Sequence, residues 1–181
     1  KLFSGTDLFW IQLTKISVFR NWIVGLTEKI LPGGWSCFLV RKCYIDERLL
    51  EAAENREVEA VVNLGAGFDT RLYRLEALSN IPCWEVDQPI NIAAKERALK
   101  RAFKTVPENV TLTGMNFVEQ EIGESLKQSG YQAGVRTFFV WEAVSQYLNE
   151  ASVKKTFDFF AKAPAGSQLV FTYIPRDFID G

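Results

Sequence analysis

The sequence contains no histidine, and this absence restricts the possible chemistry more than any other feature of the composition. Without imidazole the chain cannot build a Ser-His-Asp triad, a Cys-His dyad or a histidine metal site. Any reaction carried out by these residues must therefore use another general base, or must need no base at all.

Cysteine is scarce as well, since the chain has three, and none of them forms a C-x-x-C pair. The residues are Cys37, Cys43 and Cys83. An odd number without that spacing argues against a disulfide framework and against a structural zinc site. We expect free and mostly buried thiols in a reducing cytoplasm, and no metal.

The chain also lacks an excess of either charge and any long apolar run. Its 21 basic and 22 acidic residues give a formal net charge of −1, so no basic surplus is available to neutralise nucleic-acid phosphates. No run approaches the ~20 apolar residues that cross a bilayer. We expect a cytoplasmic protein without nucleic acid or membrane as a partner. The start at Lys1 and the stop soon after a predicted strand suggest a piece of a longer protein.

Two different periodicities divide the chain. Residues 7–31 and 38–53 place apolar side chains three and four positions apart, which predicts two helices, and we expect residues 1–56 to form an N-terminal helical cap. From residue 59 short apolar runs alternate with helical patterns, which predicts an α/β core over residues 57–181 with a parallel sheet. The predicted strands are 59–64, 83–87, 109–114, 136–143 and 167–174. Pro89 is expected to begin the helix after the second strand, and Asn149 is expected to cap the helix before the fifth.

The first predicted strand runs directly into Gly65-Ala66-Gly67, and a helix is predicted from about Thr70 to Leu78. Glycines at the carboxyl end of a strand allow a tight turn and let a ligand lie against the backbone. The dinucleotide fingerprint G-x-G-x-x-G needs a third glycine at the position of Thr70. An adenosyl ligand without a pyrophosphate does not need it. A tight connection without a ligand is the alternative.

The second strand ends in two acids, Glu85 and Asp87, which follow Gly65 by 20 and 22 residues. An acid at this spacing can accept hydrogen bonds from both hydroxyls of an adenosine ribose. The two side chains share a strand face, so one can bind the ligand while the other supports it.

These segments resemble the leucine carboxyl methyltransferase superfamily, in particular its bacterial branch of small-molecule O-methyltransferases. The resemblance rests on "VVNLGAGFDTRLYRL" (61–75) and "WEVDQP" (84–89), and on further matches at 40–49, 139–148 and 166–174. It implies a Rossmann-like methyltransferase sheet with helices on both faces, truncated here after the fifth strand. It also implies S-adenosyl-L-methionine as the cofactor.

The resemblance further assigns roles to single residues. Arg41 is expected to pair with the carboxylate of the cofactor's methionyl group, since a guanidinium fork fits a carboxylate. Asp87 is expected to bind the ribose, with Glu85 beside it, and Glu142 to lie near the ammonium group. The remaining expected cofactor contacts are Gly65, Ala66 and Gly67 in the turn, Asn116 at the adenine amino group and Phe117 on its ring.

The resemblance implies methyl transfer to an oxygen of a small-molecule acceptor. A carboxylate or acidic hydroxyl is ionised at neutral pH and needs no general base, which suits a chain without histidine. The alternatives are a nicotinamide-dependent oxidoreductase and a cofactor-binding module without turnover. The sequence identifies no catalytic residue. Tyr147 resembles a residue on the substrate side, and four aromatic residues of the cap are expected in its core, although they could line an acceptor pocket. These are Trp10, Trp22, Trp35 and Phe38.

Overall fold

A computed structural model of the chain describes residues 12–175. The chain divides into two compact units, one up to Asp46 and one from Glu47 onwards, so the division lies within a helix. The first unit contains α1, Ser17–Ile30, and most of α2, Gly34–Glu54. Both predicted N-terminal helices are confirmed within the described range. The predicted domain division after residue 56 stays a prediction.

The side chains of the first unit are more exposed than the sequence led us to expect. Trp22 is 62% exposed, Trp35 45% and Phe38 51%, so the prediction that they form a cap core is wrong, while Trp10 lies outside the described residues. The turn between the two helices is held by polar contacts instead. Glu28 accepts a hydrogen bond from the Gly33 amide at 2.7 Å.

The cysteine prediction is wrong for two of the three residues. Cys37 and Cys43, both on α2, are exposed. Cys83 is buried at the start of a central strand, and all three thiols are free.

The second unit is built around a parallel sheet of five strands in the order β3-β2-β1-β4-β5. Every residue of β1, β2 and β4 is buried, which is typical of parallel strands covered on both faces. All five predicted strands are confirmed, and β2 has the predicted bounds. The strands are β1 Ala60–Leu64, β2 Cys83–Asp87, β3 Val110–Gly114, β4 Thr137–Trp141 and β5 Gln168–Phe171.

The helices of this unit agree with the sequence patterns except after the glycine turn. The helix predicted over residues 70–78 is instead a short α3, Arg71–Arg74, and a 3₁₀ turn, Glu76–Leu78, because Leu75 adopts an extended backbone. Helix α4, Pro89–Phe103, begins at the predicted proline. Helix α5 covers Ile122–Gln128, and α6 covers Glu150–Phe160. As predicted, Asn149 caps α6, accepting a hydrogen bond from the Ser152 amide at 2.9 Å.

The two faces of the sheet differ in chemistry. We call the side packed against α5 and α6 the apolar face. Its strand residues are Ala60, Val62, Leu64, Trp84, Val86, Phe139 and Trp141. Because side chains alternate along a strand, the opposite side, here called the polar face, carries Asn63, Glu85, Asp87 and the residue after β4, Glu142. Between residues 12 and 175 no helix is long and apolar enough to cross a membrane.

Candidate functional site

The sheet register brings the glycine turn between two acids. Leu64 pairs with Val86, and Asn63 pairs with Val140. Continuing both registers along the strands places Gly65 beside Asp87 on one side and beside Glu142 on the other. Neighbouring strands lie about 4.8 Å apart, so both acids flank the turn closely. The strand order reverses between β1 and β4, which is where ligands bind in open parallel sheets.

The two glycines of the turn are required for different reasons. Gly65 has a φ of +69°, and a Cβ there would lie 2.2 Å from a methyl carbon of Val144, so the protein's own packing excludes a side chain. Gly67 has a φ of +44°, and among residues 12–175 a Cβ there would meet only the Gly65 carbonyl oxygen, at 4.0 Å. Within the described part of the chain the space next to Gly67 is therefore open, and it lies at the carboxyl end of the sheet.

Asp87 ties the second strand to the turn. Its Oδ2 accepts a hydrogen bond from the Gly67 amide at 2.7 Å. Its Oδ1 accepts from the Gln88 amide and from the Asn91 side chain, both at 2.7 Å. A carboxylate can accept about four hydrogen bonds, so roughly one position is left for a ligand hydroxyl. A second ligand hydroxyl would have to displace a present donor.

Glu85, the other acid of this strand, is enclosed by the protein. Lys95 of α4 donates a hydrogen bond to its Oε1 at 2.6 Å, and the Tyr73 hydroxyl donates to its Oε2. Burial raises the pKa of Glu85 to about 7, although Lys95 and Tyr73 act to lower it. Lys95 Nζ also lies 3.5 Å from the carbonyl oxygen of Ala66, whose side chain is buried. Both oxygens of Glu85 are thus used within the protein, beneath the turn.

Glu142 is 8% exposed and has a cationic partner. The Arg71 Nη1 and Nη2 atoms donate hydrogen bonds to its Oε2 at 3.1 and 3.0 Å. Arg71 is completely buried and also pairs with Asp69, whose Oδ1 accepts from the Arg71 amide at 2.9 Å. Asn63 donates to the other oxygen of Asp69 at 3.3 Å. A chain of polar contacts therefore runs from β1 across α3 to the end of β4.

Asn116 lies just beyond the end of β3, next to the end of β2. The preceding residue, Met115, donates its amide hydrogen to the carbonyl oxygen of Asp87 at 2.8 Å. The Asn116 Oδ1 accepts a hydrogen bond from the Val118 amide at 3.0 Å, so one of its two acceptor positions is already used. Phe117 is partly buried against the core of the apolar face. Its ring is thus anchored in the protein core.

Two residues expected near a ligand differ in their surroundings. Arg41 belongs to the first compact unit, where its guanidinium carbon lies 4.7 Å from the centroid of the Phe38 ring. Tyr147 is 81% exposed, in a 3₁₀ turn that covers Ser145–Tyr147.

Sequence reasoning missed the side chains that hold the acids in place. Arg71 was visible only as part of a motif, and Lys95, Tyr73 and Asn91 were not singled out. One signal for Lys95 existed, since it lies four residues before the buried Leu99 and so shares the inner face of α4. A cation on the inner face of a helix indicates a buried carboxylate partner.

Sequence relatives point in one direction. The sequence profile of the leucine carboxyl methyltransferase family matches residues 7–161. A Mycobacterium marinum protein, named as a candidate S-adenosyl-L-methionine-dependent methyltransferase, is 31% identical over 138 residues, which are 75% of this chain and 45% of that protein. A Streptomyces coelicolor protein with the same description is 28% identical over 143 residues, 78% of this chain and 50% of that one. The chain spans about half the length of these relatives.

Two solved structures resemble the fold of this chain. A candidate methyltransferase from Thermobifida fusca has a TM-score of 0.63 and 14% identity, covering 87% of this chain and 60% of that one. A DUF574 family protein from Streptomyces avermitilis has a TM-score of 0.61 and 13% identity, covering 81% and 58%. With its sheet, its glycine turn and a profile match over most of its length, the chain belongs to the leucine carboxyl methyltransferase family.

Proposed function

We propose that this protein is an S-adenosyl-L-methionine-dependent methyltransferase that methylates an oxygen of a small-molecule acceptor. The observation that carries the proposal is the pair of acids, Asp87 and Glu142, on either side of an open glycine turn at the point where the strand order reverses. Family membership and the names of the relatives support the cofactor and the reaction class.

The charges around the turn fit this cofactor. Among residues 12–175 the buried charged side chains are Arg71, Glu85, Asp87, Lys95 and Glu142, and all five surround the turn. Arg71 and Lys95 are paired with carboxylates, so the surroundings are anionic overall. A sulfonium and an ammonium group would be attracted to such a site. The pyrophosphate of a nicotinamide dinucleotide would be repelled.

We assign the ribose to Asp87, which has an acceptor position left, and the ammonium group to Glu142. The turn of Gly65, Ala66 and Gly67 would lie against the nucleoside. The bound cofactor supplies an activated methyl group on sulfur. The contribution of the protein is to align the acceptor with that group and to exclude water from it.

An acceptor that is already ionised suits the residues of this site. The chain contains no histidine. Glu85 and Tyr73 are engaged with each other, and burial raises the pKa of the Tyr73 hydroxyl, so neither is placed to take a proton from an acceptor. A carboxylate or an acidic hydroxyl needs no base. We therefore propose such an acceptor, handled in the cytoplasm without nucleic acid or membrane.

Titration calorimetry tests the cofactor. S-adenosylhomocysteine should bind and NAD should not. Asp87→Asn should weaken S-adenosylhomocysteine binding by about 10- to 100-fold, because a hydrogen bond to a charged group is lost. The matched control, Asp158→Asn on the exposed side of α6, should change nothing. Binding of NAD alone, or full affinity in Asp87→Asn, would contradict the proposal.

The acceptor class needs a separate assay. Methyl transfer from S-adenosyl-L-methionine should be measured over a panel of small carboxylic acids, phenols and simple alcohols. We expect products with acids or acidic phenols. Products with simple alcohols alone would show that a general base is present and would overturn the proposed acceptor class.

A further inference from the structure

Lys95 is a buried cation beneath the glycine turn that has no role in the proposed function. It is 3% exposed, and its ammonium group donates a hydrogen bond to Glu85 Oε1 at 2.6 Å. The other two contacts of this ammonium group in the described part of the chain are weaker. The Ala66 carbonyl oxygen lies 3.5 Å away, and the centroid of the Tyr73 ring lies 5.5 Å away. The charge of Lys95 is therefore balanced by one contacting carboxyl group, that of Glu85.

Glu85 is the member of this cluster that changes its charge near neutral pH, because burial raises its pKa to about 7. Burial also raises the pKa of the Tyr73 hydroxyl, and it raises the pKa of Cys83, on the same strand as Glu85, to about 12. Both of these groups therefore stay neutral. Lys95 faces Glu85 from α4, and Asp69 faces it from the segment before α3.

The two protonation states of Glu85 place different charges beneath the turn. Ionised Glu85 and Lys95 form a pair without net charge. When Glu85 is protonated, no contacting carboxylate within the described residues balances the charge of Lys95, 3.5 Å from the backbone of the turn. Buried charges are screened less by water and salt than exposed ones, so this charge would repel a cation bound at the turn.

We propose that Glu85 is a specificity-determining residue, through which the site distinguishes its cationic cofactor from the neutral product of the reaction. S-adenosyl-L-methionine and S-adenosylhomocysteine share the nucleoside and the amino-acid part, and they differ in the methyl group and positive charge of the sulfonium. Ionised Glu85 cancels the charge of Lys95 and permits a sulfonium at the turn. Protonated Glu85 disfavours the sulfonium and leaves the binding of the neutral thioether unchanged. The inference rests on the proposed function, because it requires an adenosyl ligand at the turn.

Titration calorimetry of both ligands at about pH 5.5 and about pH 8 tests this inference. The measured quantity is the ratio of the two affinities, from which groups that contact only the shared parts of the ligands cancel. Glu85 loses its proton over this range, so the repulsion disappears as pH rises. In the unmodified protein, the affinity for S-adenosyl-L-methionine relative to S-adenosylhomocysteine should therefore increase by about three- to tenfold.

Three variants assign this increase to the buried pair. Glu85→Gln leaves Lys95 charged at both pH values, so the ratio should stay at the low value. Lys95→Met/Glu85→Gln leaves neither charge, so the ratio should stay at the high value. The matched control Glu96→Gln makes the same chemical change on the exposed side of α4, where Glu96 pairs with Lys100. It should behave as the unmodified protein does.

The outcomes distinguish this inference from the proposed function. If the unmodified protein binds neither ligand, the proposed function fails and the inference fails with it. If the unmodified protein binds both, but the ratio is constant with pH or changes equally in Lys95→Met/Glu85→Gln, the inference alone is overturned. Circular dichroism at both pH values checks that each variant is folded. Should Glu85→Gln not fold, the double variant decides the question by the same ratio of affinities.

Discussion

Different interactions stabilise the two faces of the sheet. On the apolar face, aromatic rings from β4 and α6 interlock, as with Phe139 and Phe159, whose centroids are 5.6 Å apart at 81°. On the polar face all five of the buried charged side chains within residues 12–175 are gathered around one turn. The first arrangement gains free energy from the burial of apolar area and from the contacts between rings. The second must recover the cost of removing charges from water.

The difference indicates that the polar face is less stable than an apolar one would be, because it carries the charges of the candidate site. Apolar side chains could fill the space of Glu85 and Lys95 at a similar volume, and such replacements are often neutral or stabilising. The charges are instead kept beneath the turn that we assign to the cofactor. An ion pair next to an open turn is better explained by a task at that turn than by the needs of the sheet.

The largest expected effect comes from breaking a charge pair on the polar face. Lys95→Met should lower the free energy of unfolding by about 3–5 kcal/mol at neutral pH, since it leaves Glu85 buried without its cation. The double variant Lys95→Met/Glu85→Gln should recover part of that loss, because no charge then remains buried. Urea unfolding followed by circular dichroism measures both.

The apolar face provides the matched comparison. Phe139→Leu and Phe159→Leu each remove part of an edge-to-face ring pair, which is worth about 0.5–1.5 kcal/mol beyond its area. Their double variant should be less stable than either single variant. If Lys95→Met/Glu85→Gln is likewise less stable than Lys95→Met alone, the polar face is not stabilised by charge pairing in the way described.

A smaller effect should appear as a dependence on pH. Glu85 has its pKa raised from 4.5 to about 7 by burial, so between these values the folded protein holds a proton that the unfolded chain has lost. The free energy of unfolding should therefore decrease as pH rises from about 5 to about 7. At 1.36 kcal/mol per unit, the decrease is about 1–3 kcal/mol, with Lys95, Tyr73 and Asp69 as the groups that face this carboxyl.

The comparison of two variants isolates this contribution from other titrating groups. The stability difference between the unmodified protein and Glu85→Gln should change across this range. By contrast, Leu126→Ala on the apolar face should cost the same between pH 5 and pH 7, because the buried cluster that contains Leu126 is made of apolar and aromatic side chains without a carboxyl group. A difference for Glu85→Gln that is constant with pH, or that grows in favour of the unmodified protein, would contradict the assigned direction.

The sequence predicted the sheet well because each strand there is a short apolar run between breaking residues. Pro89 and Asn149 marked two helix starts for local reasons that tertiary contacts did not change. The break at Leu75 left no such local signal, and the helix predicted there was too long.

The sequence predicted only part of the candidate site. The acids of β2 were visible from their spacing to the glycines, since that spacing is set by one strand-turn-helix unit. The burial of Arg71 could not be predicted, because its partner Glu142 lies 71 residues away along the chain. A charged residue on a short helix is normally exposed to solvent. The tryptophans of α1 and α2 were wrongly predicted to be buried. The spacing of apolar residues predicts that one face of a helix is buried, but it does not identify the element that covers that face.

The smallest expected effect concerns the backbone of the residue that follows Glu142. Ala143 follows Glu142 with a φ of +57°, and its amide donates a hydrogen bond to the Thr172 hydroxyl at 2.7 Å. An alanine in this region costs about 1 kcal/mol or more, so Ala143→Gly should stabilise the protein by about 0.5–1 kcal/mol, net of the extra freedom of glycine in the unfolded chain. The same change within α4, Ala98→Gly, should instead destabilise by about 1 kcal/mol. If both variants lose stability equally in urea unfolding, the bend that sets Glu142 beside the turn stores no strain.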